Sequence, residues 1–529
     1  MAYVYPVGIP VAPWGVNETV ASVYGDANYY THWVDNDHPS ATDTSNPNGS
    51  PTTPRLTLPT LTGLAAGTVI QVRGGTTTPY YTTSQTPVNM SASGTSPSPV
   101  FLTGLGATQK PMLRRGLKVN ASSSYLVIEG LQWSTVNESI CQVRTSTASQ
   151  VFDRICVRDC EGTGTGISTG GGTVMGPGDD SGSSTFTNIV YLRNTLHDFG
   201  DYQAGAQNDY HAFTCGHRTT GFWVLDNVAY HCGGDGFQAG HGLQQATESP
   251  TDVFIGRNTF YQFGENGIDI KNLHDCVISS NVLYGPNNTT ISDGVALVVH
   301  EGGPTTDQGP YNVWVINNYI HDNALGIANS DCWPTKPIWY IGNLIVNMTS
   351  EQGLAHGLTG GGDYRVYHNT IVNVGTEGIR FSSAGSDVKG GGNLVVTATE
   401  HLEMAAAANP SAWSNDLYWQ GGANVAITWL GTTYTSVAAW IAATAFGDNS
   451  LQQDPLLTGS YRLTADSPCR GAGLNMSSVE TAFQAEFGVS LLKDLDGTVR
   501  PNGVWDIGAL QYAPSIVTGH LGRGVMGAI

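Results

Sequence analysis

A short apolar run that leads into Asn and resumes two residues later recurs along the middle of this chain, and no other feature constrains its folding as strongly. It reads Tyr191-Leu192-Arg193-Asn194-Thr195-Leu196, then Val224-Leu225-Asp226-Asn227-Val228-Ala229, and so on to Val366-Tyr367-His368-Asn369-Thr370-Ile371. The Asn residues at 194, 227, 258, 281, 318, 343 and 369 are spaced by 33, 31, 23, 37, 25 and 26 residues. The shortest spacings define the unit, and the longer ones are that unit with a loop inserted. Weaker members at Glu129-Gly130, Asp159-Cys160 and Gly392-Asn393 bring the series to about ten rungs. A second column follows each Asn by 8 to 13 residues: Gly236-Phe237, Gly267-Ile268, Gly294-Val295, Gly326-Ile327, Gly353-Leu354 and Gly378-Ile379.

Each unit holds two or three short β-rich runs separated by Gly, Asn and Asp turns, with no helical period. Such a unit cannot bury its own apolar face and must stack on its neighbours, which gives an all-β, parallel β-helix advancing ~4.8 Å per coil. The recurring Asn reads as an internal ladder at a turn, where its side chain satisfies backbone groups. Composition agrees: Gly is 67 of 529 residues and charged residues are 12%. The formal net charge of -20 repels phosphate backbones and anionic lipid surfaces, which argues against nucleic-acid or membrane binding. No stretch approaches the ~18 apolar residues of a membrane span. The opening residues, Met1 to Pro6, lack the basic and apolar regions of an export signal, so an extracellular protein with its signal removed and a virion-associated protein are both compatible. The eight cysteines lack paired metal spacing and read as small buried hydrophobes.

The Asn rungs, together with Asp454-Pro455, Tyr461-Arg462-Leu463, Ser467-Pro468, Gly471-Ala472-Gly473, Asp496-Gly497, Arg500-Pro501 and Asp506-Ile507-Gly508-Ala509, resemble right-handed parallel β-helix proteins of the pectate-lyase-like superfamily. Many of these bind or cleave polysaccharides. The resemblance covers roughly residues 60–513, with the β-helix over 61–400 and a C-terminal accessory module over 401–513, while residues 1–60, rich in Pro, Thr, Asn and Asp, read as an N-terminal cap. A Gly-rich tail over 514–529 follows. The cap is expected to wrap the first coil, and one amphipathic helix is expected over 436–446.

Strand alternation assigns the outward residues. In Gly267-Ile268-Asp269-Ile270-Lys271 the isoleucines turn inward, so Asp269 and Lys271 project together. Neighbouring rungs add Asp209 and His211, Asp235, Gln238 and His241, then His300 and Glu301. This patch is dense for a chain so poor in charge. A lyase acting on a uronate polymer needs a base for the C5 proton, a cation at the carboxylate and a proton donor for the leaving oxygen. Lys271 is the candidate base, His211 or His241 its partner, Asp269 a catalytic neighbour and Tyr210 a donor. Asp235, Asp269 and Glu265 are candidate Ca²⁺ ligands, since calcium prefers oxygen. Gln238, His300, Arg218 and Trp314 are assigned to substrate contact. The partner is thus a polysaccharide, and the protein a monomer or homotrimer.

Three alternatives stand beside this. A glycoside hydrolase would pair carboxylates from Asp209, Asp235 and Asp269. Gly240-His241-Gly242 and Ile270-Lys271 faintly resemble polygalacturonase-type hydrolases, but the Asp-Asp pair of that family is missing. A non-catalytic carbohydrate-binding, adhesin or phage-tail β-helix would show no coherent base. The Asp269–Lys271 pair is also compatible with a plain surface ion pair, and the column Trp223, Phe254, Trp314 and Trp339 with either core or a sugar platform.

Overall fold

The computed structural model describes residues 2–81, 86–106, 109–134, 139–164, 171–179, 182–203, 208–240, 248–285, 294–302, 309–330, 332, 336–356, 362–382 and 387–514. Two long sheets of sixteen and twenty-four strands form a parallel β-helix among these residues. Most coils give one strand to the first sheet and two to the second, for example Thr219–Leu225, then Val228–Cys232 and Phe237–Ala239. Register is kept from coil to coil: Val224 faces Ile255, which faces Ile278, Val315, Tyr340 and Val366 in turn. These positions point inward and build one continuous apolar core. All eight cysteines are buried and free. Among the described residues no helix is long and apolar enough to cross a membrane.

The repeated Asn residues hold the turns between the sheets. Asn227 donates from its backbone N–H (2.9 Å) and from Nδ2 (3.0 Å) to Oδ1 of Asn258, and from Nδ2 to the Tyr191 carbonyl (3.0 Å) of the preceding coil. The same three bonds repeat at Asn194, Asn258, Asn281, Asn318, Asn343, Asn369 and Asn393. At one end the Cys160 amide donates to Asn194, and at the other Asp416 accepts from Asn393. Every residue just before a rung from 160 to 416 is left-handed, from Asp159 at φ 55° and Arg193 at 54° to Asn415 at 62°. Asn, Asp and Gly dominate there because they tolerate this region.

The second Gly column is also a close approach. A Cβ on Gly236 would sit 2.5 Å from the Gly267 carbonyl oxygen, and one on Gly326 2.3 Å from that of Gly353. The third member is Ala296 rather than Gly294, because Leu297 is the residue in register with Ile268.

The termini do more than close the ends. Tyr3 to Tyr24 runs along the outside of the first sheet, from the coil of Asp226 and Arg257 to that of Phe101, instead of wrapping only the first coil. The returning C-terminal segment carries helix Ser477–Phe487, which the sequence reading did not anticipate, onto the same face. Together they seal an apolar column of Val190, Trp223, Phe254, Val277 and Trp314. This column points out of the coil, yet it is covered. Trp223 Nε1 donates to the Pro10 carbonyl, and Phe483 packs against Trp314 at 4.8 Å between ring centroids. The helix Val437–Thr444, capped by Ser436, lies where its apolar spacing placed it. His197 heads a column of stacked rings through Tyr230, Tyr261 and Tyr284 to His321, about 4.9 Å apart.

Two outcomes follow from the ladder. Asn281→Ala leaves the Asn258 amide and Nδ2 and the Ile255 carbonyl without their partners. At about 1–3 kcal/mol per buried unsatisfied group, denaturant unfolding should show a loss of at least roughly 3 kcal/mol. Burial raises Asp416 from 3.8 to about 7. The stability tied to its protonated form is complete below pH 3.8 and is lost as pH rises through about 7. Asp416→Asn should therefore gain on the parent protein between pH 4 and 8, by on the order of 4 kcal/mol in paired melts.

Candidate active site

The outward positions of the second sheet line up as a column across the coils. Lys118 is in register with Gln142, Thr214 with Gln238, Gln238 with Asp269 and Asp269 with Val298. A parallel column two residues further on runs from Arg144, opposite Gly178, to Lys271, opposite His300. Along these columns lies an open groove of about 680 Å³, lined among others by Lys118, Gln142, Arg144, Asp209, His211 and Gln238.

His211 lines the groove and is paired with Asp235 behind it. Asp235 is fully buried. Its Oδ1 accepts from the Asn266 amide (2.9 Å) and Asn266 Nδ2 (3.0 Å), and its Oδ2 accepts from Gln238 Nε2 (2.9 Å). His211 Nδ1 lies 3.1 Å from Asp235 Oδ2 and 3.0 Å from the Asp235 amide nitrogen. These two contacts favour opposite ring tautomers, and the carboxylate's full charge favours the proton on Nδ1, which leaves Nε2 as the acceptor. Burial pulls the His211 pKa down, but the hydrogen bond and charge of Asp235, with the charges of Glu265 and Asp209, outweigh it and hold the imidazole above its ordinary value. Gly234 permits this packing, since a Cβ there would sit 2.7 Å from His211 Nδ1.

Beside it, Asp269 bridges Lys271 and His300. Lys271 Nζ pairs with Oδ2, and His300 Nε2 lies 3.0 Å from Oδ1. Burial would raise the Asp269 carboxyl, but the His300 hydrogen bond and the Lys271 charge keep it below its usual range. Burial would lower Lys271, but Asp269, Asp235 and Glu265 hold it above 10.5. A Cβ on Gly302 would lie 2.6 Å from the Lys271 stem, so only glycine leaves the lysine this place.

The structure brings His211, Asp235, Gln238, Asp269, Lys271, His300 and Glu265 to one face and changes several roles. Asp269, Asp235 and Glu265 favour the ammonium form of Lys271, which disfavours it as the base. Tyr210 belongs to the core cluster rather than the groove, so it is not placed to protonate a sugar oxygen. Trp314 is buried under Phe483 on the other sheet, and the proposed sugar contact is corrected to a structural stack. Arg218 turns to Glu248 at 3.4 Å. His241 lies outside the described residues, as do parts of the insertions expected to wall the groove.

The expected calcium set does not fit. Asp235 already meets three donors and His211, and Asp269 is engaged by Lys271 and His300, so neither offers the free oxygens a hard cation needs. Among the described residues two groups have ligand atoms within 4.8 Å of one another: Asp209, His211 and Glu265 at this site, and Glu377, Glu400 and Glu403 elsewhere. Lys118, Gln142 and Arg144 were missed, although Leu117-Lys118-Val119 and Cys141-Gln142-Val143-Arg144 carry the same alternation that exposed Asp269 and Lys271.

Fold and groove together define a parallel β-helix protein with a polar, cation-lined cleft on one outer face. No protein-family profile matches the chain. It is 25% identical over 230 residues to the mannuronan C5-epimerase AlgE5 of Azotobacter vinelandii, 39% of this chain and 22% of that protein. It is likewise 25% identical over 223 residues to mannuronan C5-epimerase AlgE2 of the same organism, 38% of this chain and 22% of the relative. The chain thus spans about a fifth of the length of the curated relatives it matches. Among solved structures it is similar to XylC in complex with xylose, with a TM-score of 0.49 and 10% identity over 92% of this chain and 98% of that one. It is similar also to pectate lyase Pel9A, with a TM-score of 0.38 and 13% identity over 92% and 98% of the two chains.

The His211 assignment can be checked by titration. In Asp235→Asn the imidazolium loses its main support while burial persists, so its NMR titration midpoint should fall relative to the parent protein, and an unchanged midpoint would reject the assignment.

Proposed function

We propose that the protein is an enzyme acting on a uronate-containing polysaccharide, and that its first chemical step is removal of the C5 proton beside the uronate carboxylate. The observation that carries this reading is the His211–Asp235 pair beside a groove lined by Lys118 and Arg144, with Lys271 two strand steps further along the same sheet, in a chain with 42 acidic and only 22 basic residues. Cations on two adjacent outward columns suit a polymer bearing regularly spaced carboxylates.

In this mechanism Lys271, kept protonated by Asp269, sits against the uronate carboxylate and withdraws charge, which makes the neighbouring C5 proton more acidic. His211 Nε2 accepts that proton, and the imidazolium so formed is stabilised by Nδ1–H donating to Asp235. His300, held by Asp269, stands three strand steps from His211, so the second proton movement of an elimination, to the leaving O4 oxygen, falls to the His211 imidazolium itself. Loss of the O4 substituent completes a β-elimination, and return of a proton to C5 from the other face completes an inversion. Elimination is the primary reading. The resemblance to proteins named mannuronan C5-epimerases favours inversion as the second, because both share the first step. Hydrolysis by paired carboxylates is disfavoured, since Asp235 and Asp269 are both buried and committed to neighbours.

The test is incubation with polygalacturonate, alginate and neutral glucans in D₂O, following unsaturated-uronate absorbance, reducing ends and deuterium at C5. Absorbance together with reducing ends establishes elimination, and deuterium without chain cleavage establishes inversion. Reducing ends with neither signal overturn the proposal in favour of hydrolysis. His211→Gln should lower kcat by roughly 10²–10⁴-fold. In the parent protein the acid limb of kcat/KM should lie above the ordinary imidazole value of 6.5, because His211 works deprotonated and its pKa is raised. Asp235→Asn should move that limb to lower pH.

A further inference from the structure

A second open pocket, of about 420 Å³, lies at the N-terminal end of the first sheet. Strand His32–Asp35 pairs with Val69–Arg73 so that Trp33 faces Gln71 and Asp35 faces Arg73. Val34 and Val72 between them turn into the core, so these four side chains alternate to the outer face. On the following coils that face is apolar and sealed by the N-terminal strap, through Val69, Phe101 and Val127. Beyond Tyr24 the strap has turned away, and the outward residues change to Trp33, Asp35, Gln71 and Arg73, which line the pocket with Tyr30 and His38. The change makes Trp33 unlike Trp223 or Trp314: those are covered by the chain's own termini, whereas Trp33 borders open space.

The side chains are arranged rather than scattered. Tyr30 and Trp33 meet edge to face, 6.5 Å apart at 72°, and the Tyr30 hydroxyl is tied back to the Ala27 carbonyl at 3.1 Å. Arg73 Nε donates to Gln71 Oε1 at 3.1 Å, and both side chains line the pocket. An aromatic face takes the C–H side of a sugar ring, planar amide and carboxylate groups take its hydroxyls, and a guanidinium takes a carboxylate through paired bonds. A cavity of a few hundred cubic ångströms with these few polar groups suits one or two sugar units.

We infer that this pocket is a second, non-catalytic saccharide-binding site that recognises a uronate-bearing segment of polysaccharide. It relies on the reading of the groove only for the polymer's identity. Five strand steps of the first sheet separate Val69–Arg73 from Thr219–Leu225, roughly 24 Å along the axis at ~4.8 Å per step. The pocket therefore holds a distant part of a long chain while the groove works on another.

Affinity electrophoresis of the full chain through gels containing polygalacturonate, alginate or neutral dextran tests this without requiring turnover. Trp33→Ala and Arg73→Gln should each weaken retardation by an acidic polymer about tenfold, with dextran inert throughout. Turnover of a short uronate oligosaccharide should stay at the parent level, because neither residue touches the groove. Unchanged retardation in both variants overturns the inference, as does the absence of retardation of the parent protein by either acidic polymer. Equal retardation by dextran overturns the carboxylate recognition. Should the polymers prove not to be substrates while Trp33→Ala still abolishes retardation, the pocket stands and the reading of the groove fails. Arg73→Gln, an exposed change, keeps the test decisive if Trp33→Ala does not fold.

Discussion

The buried asparagine ladder is the interaction on which this structure depends. A stack of coils has a turn at every level, and each turn removes backbone groups from water without giving them a strand partner. One asparagine amide answers three of these needs at once: its oxygen accepts from the previous rung's N–H and side chain, and its nitrogen donates to a carbonyl of the preceding coil. A shorter or differently shaped side chain leaves at least one of them unpaired in a dry interior, where that costs most. The ladder ends where this chemistry ends. Cys160 offers only its amide, and Asp416 can accept but has no N–H₂ to pass on.

Because the ladder fixes one point of every coil, the residues a set distance beyond it fall into columns. That is why the fold was legible: Asn spacing gives the repeat and alternation gives the inner face. The covered outer face of the first sheet was not legible in the same way. Trp223 and Trp314 alternate outward, and local sequence cannot say whether an outward tryptophan meets water, sugar or the chain's own terminus arriving from far along the sequence. Tyr3 to Tyr24 and helix Ser477–Phe487 decide that question, and their contacts with the coils are all long-range. The same limit explains the misplaced Gly294, where counting from Asn281 crosses an insertion and register is set instead by Leu297 pairing with Ile268.

The site shows a comparable division. Alternation placed Asp269 and Lys271 on the outer face and brought His211 and Gln238 beside them, and the structure keeps that geometry. Charge state is a different property, because it depends on what each group touches across coils. Lys271 looked like a base when considered alone, but Asp269 beside it, with Asp235 and Glu265 near, makes it an ammonium. Asp235 looked like a metal ligand, but Asn266 and Gln238 already use its oxygens. His211 is the imidazole set against Asp235, and the glycine that lets it approach, Gly234, lies in the run Cys232-Gly233-Gly234-Asp235-Gly236.

These constraints explain why chemistry concentrates on one face of an otherwise uniform rod. Inward positions must be apolar to build the core, and the outer face of the first sheet is largely occupied by the two terminal segments. The outward columns of the second sheet are where charge can accumulate without disturbing the stack. Within them, glycines at 178, 240 and 302 clear space around Arg144, Lys271 and the strand ends, so the cations lie low along the groove rather than standing out into solvent. The cations stand at intervals along these columns, Lys118 on one and Arg144 and Lys271 on the other with Gly178 and Gly240 between them, and under the proposed function this local reversal of charge in a strongly acidic protein would favour a polyanion at this face over the rest.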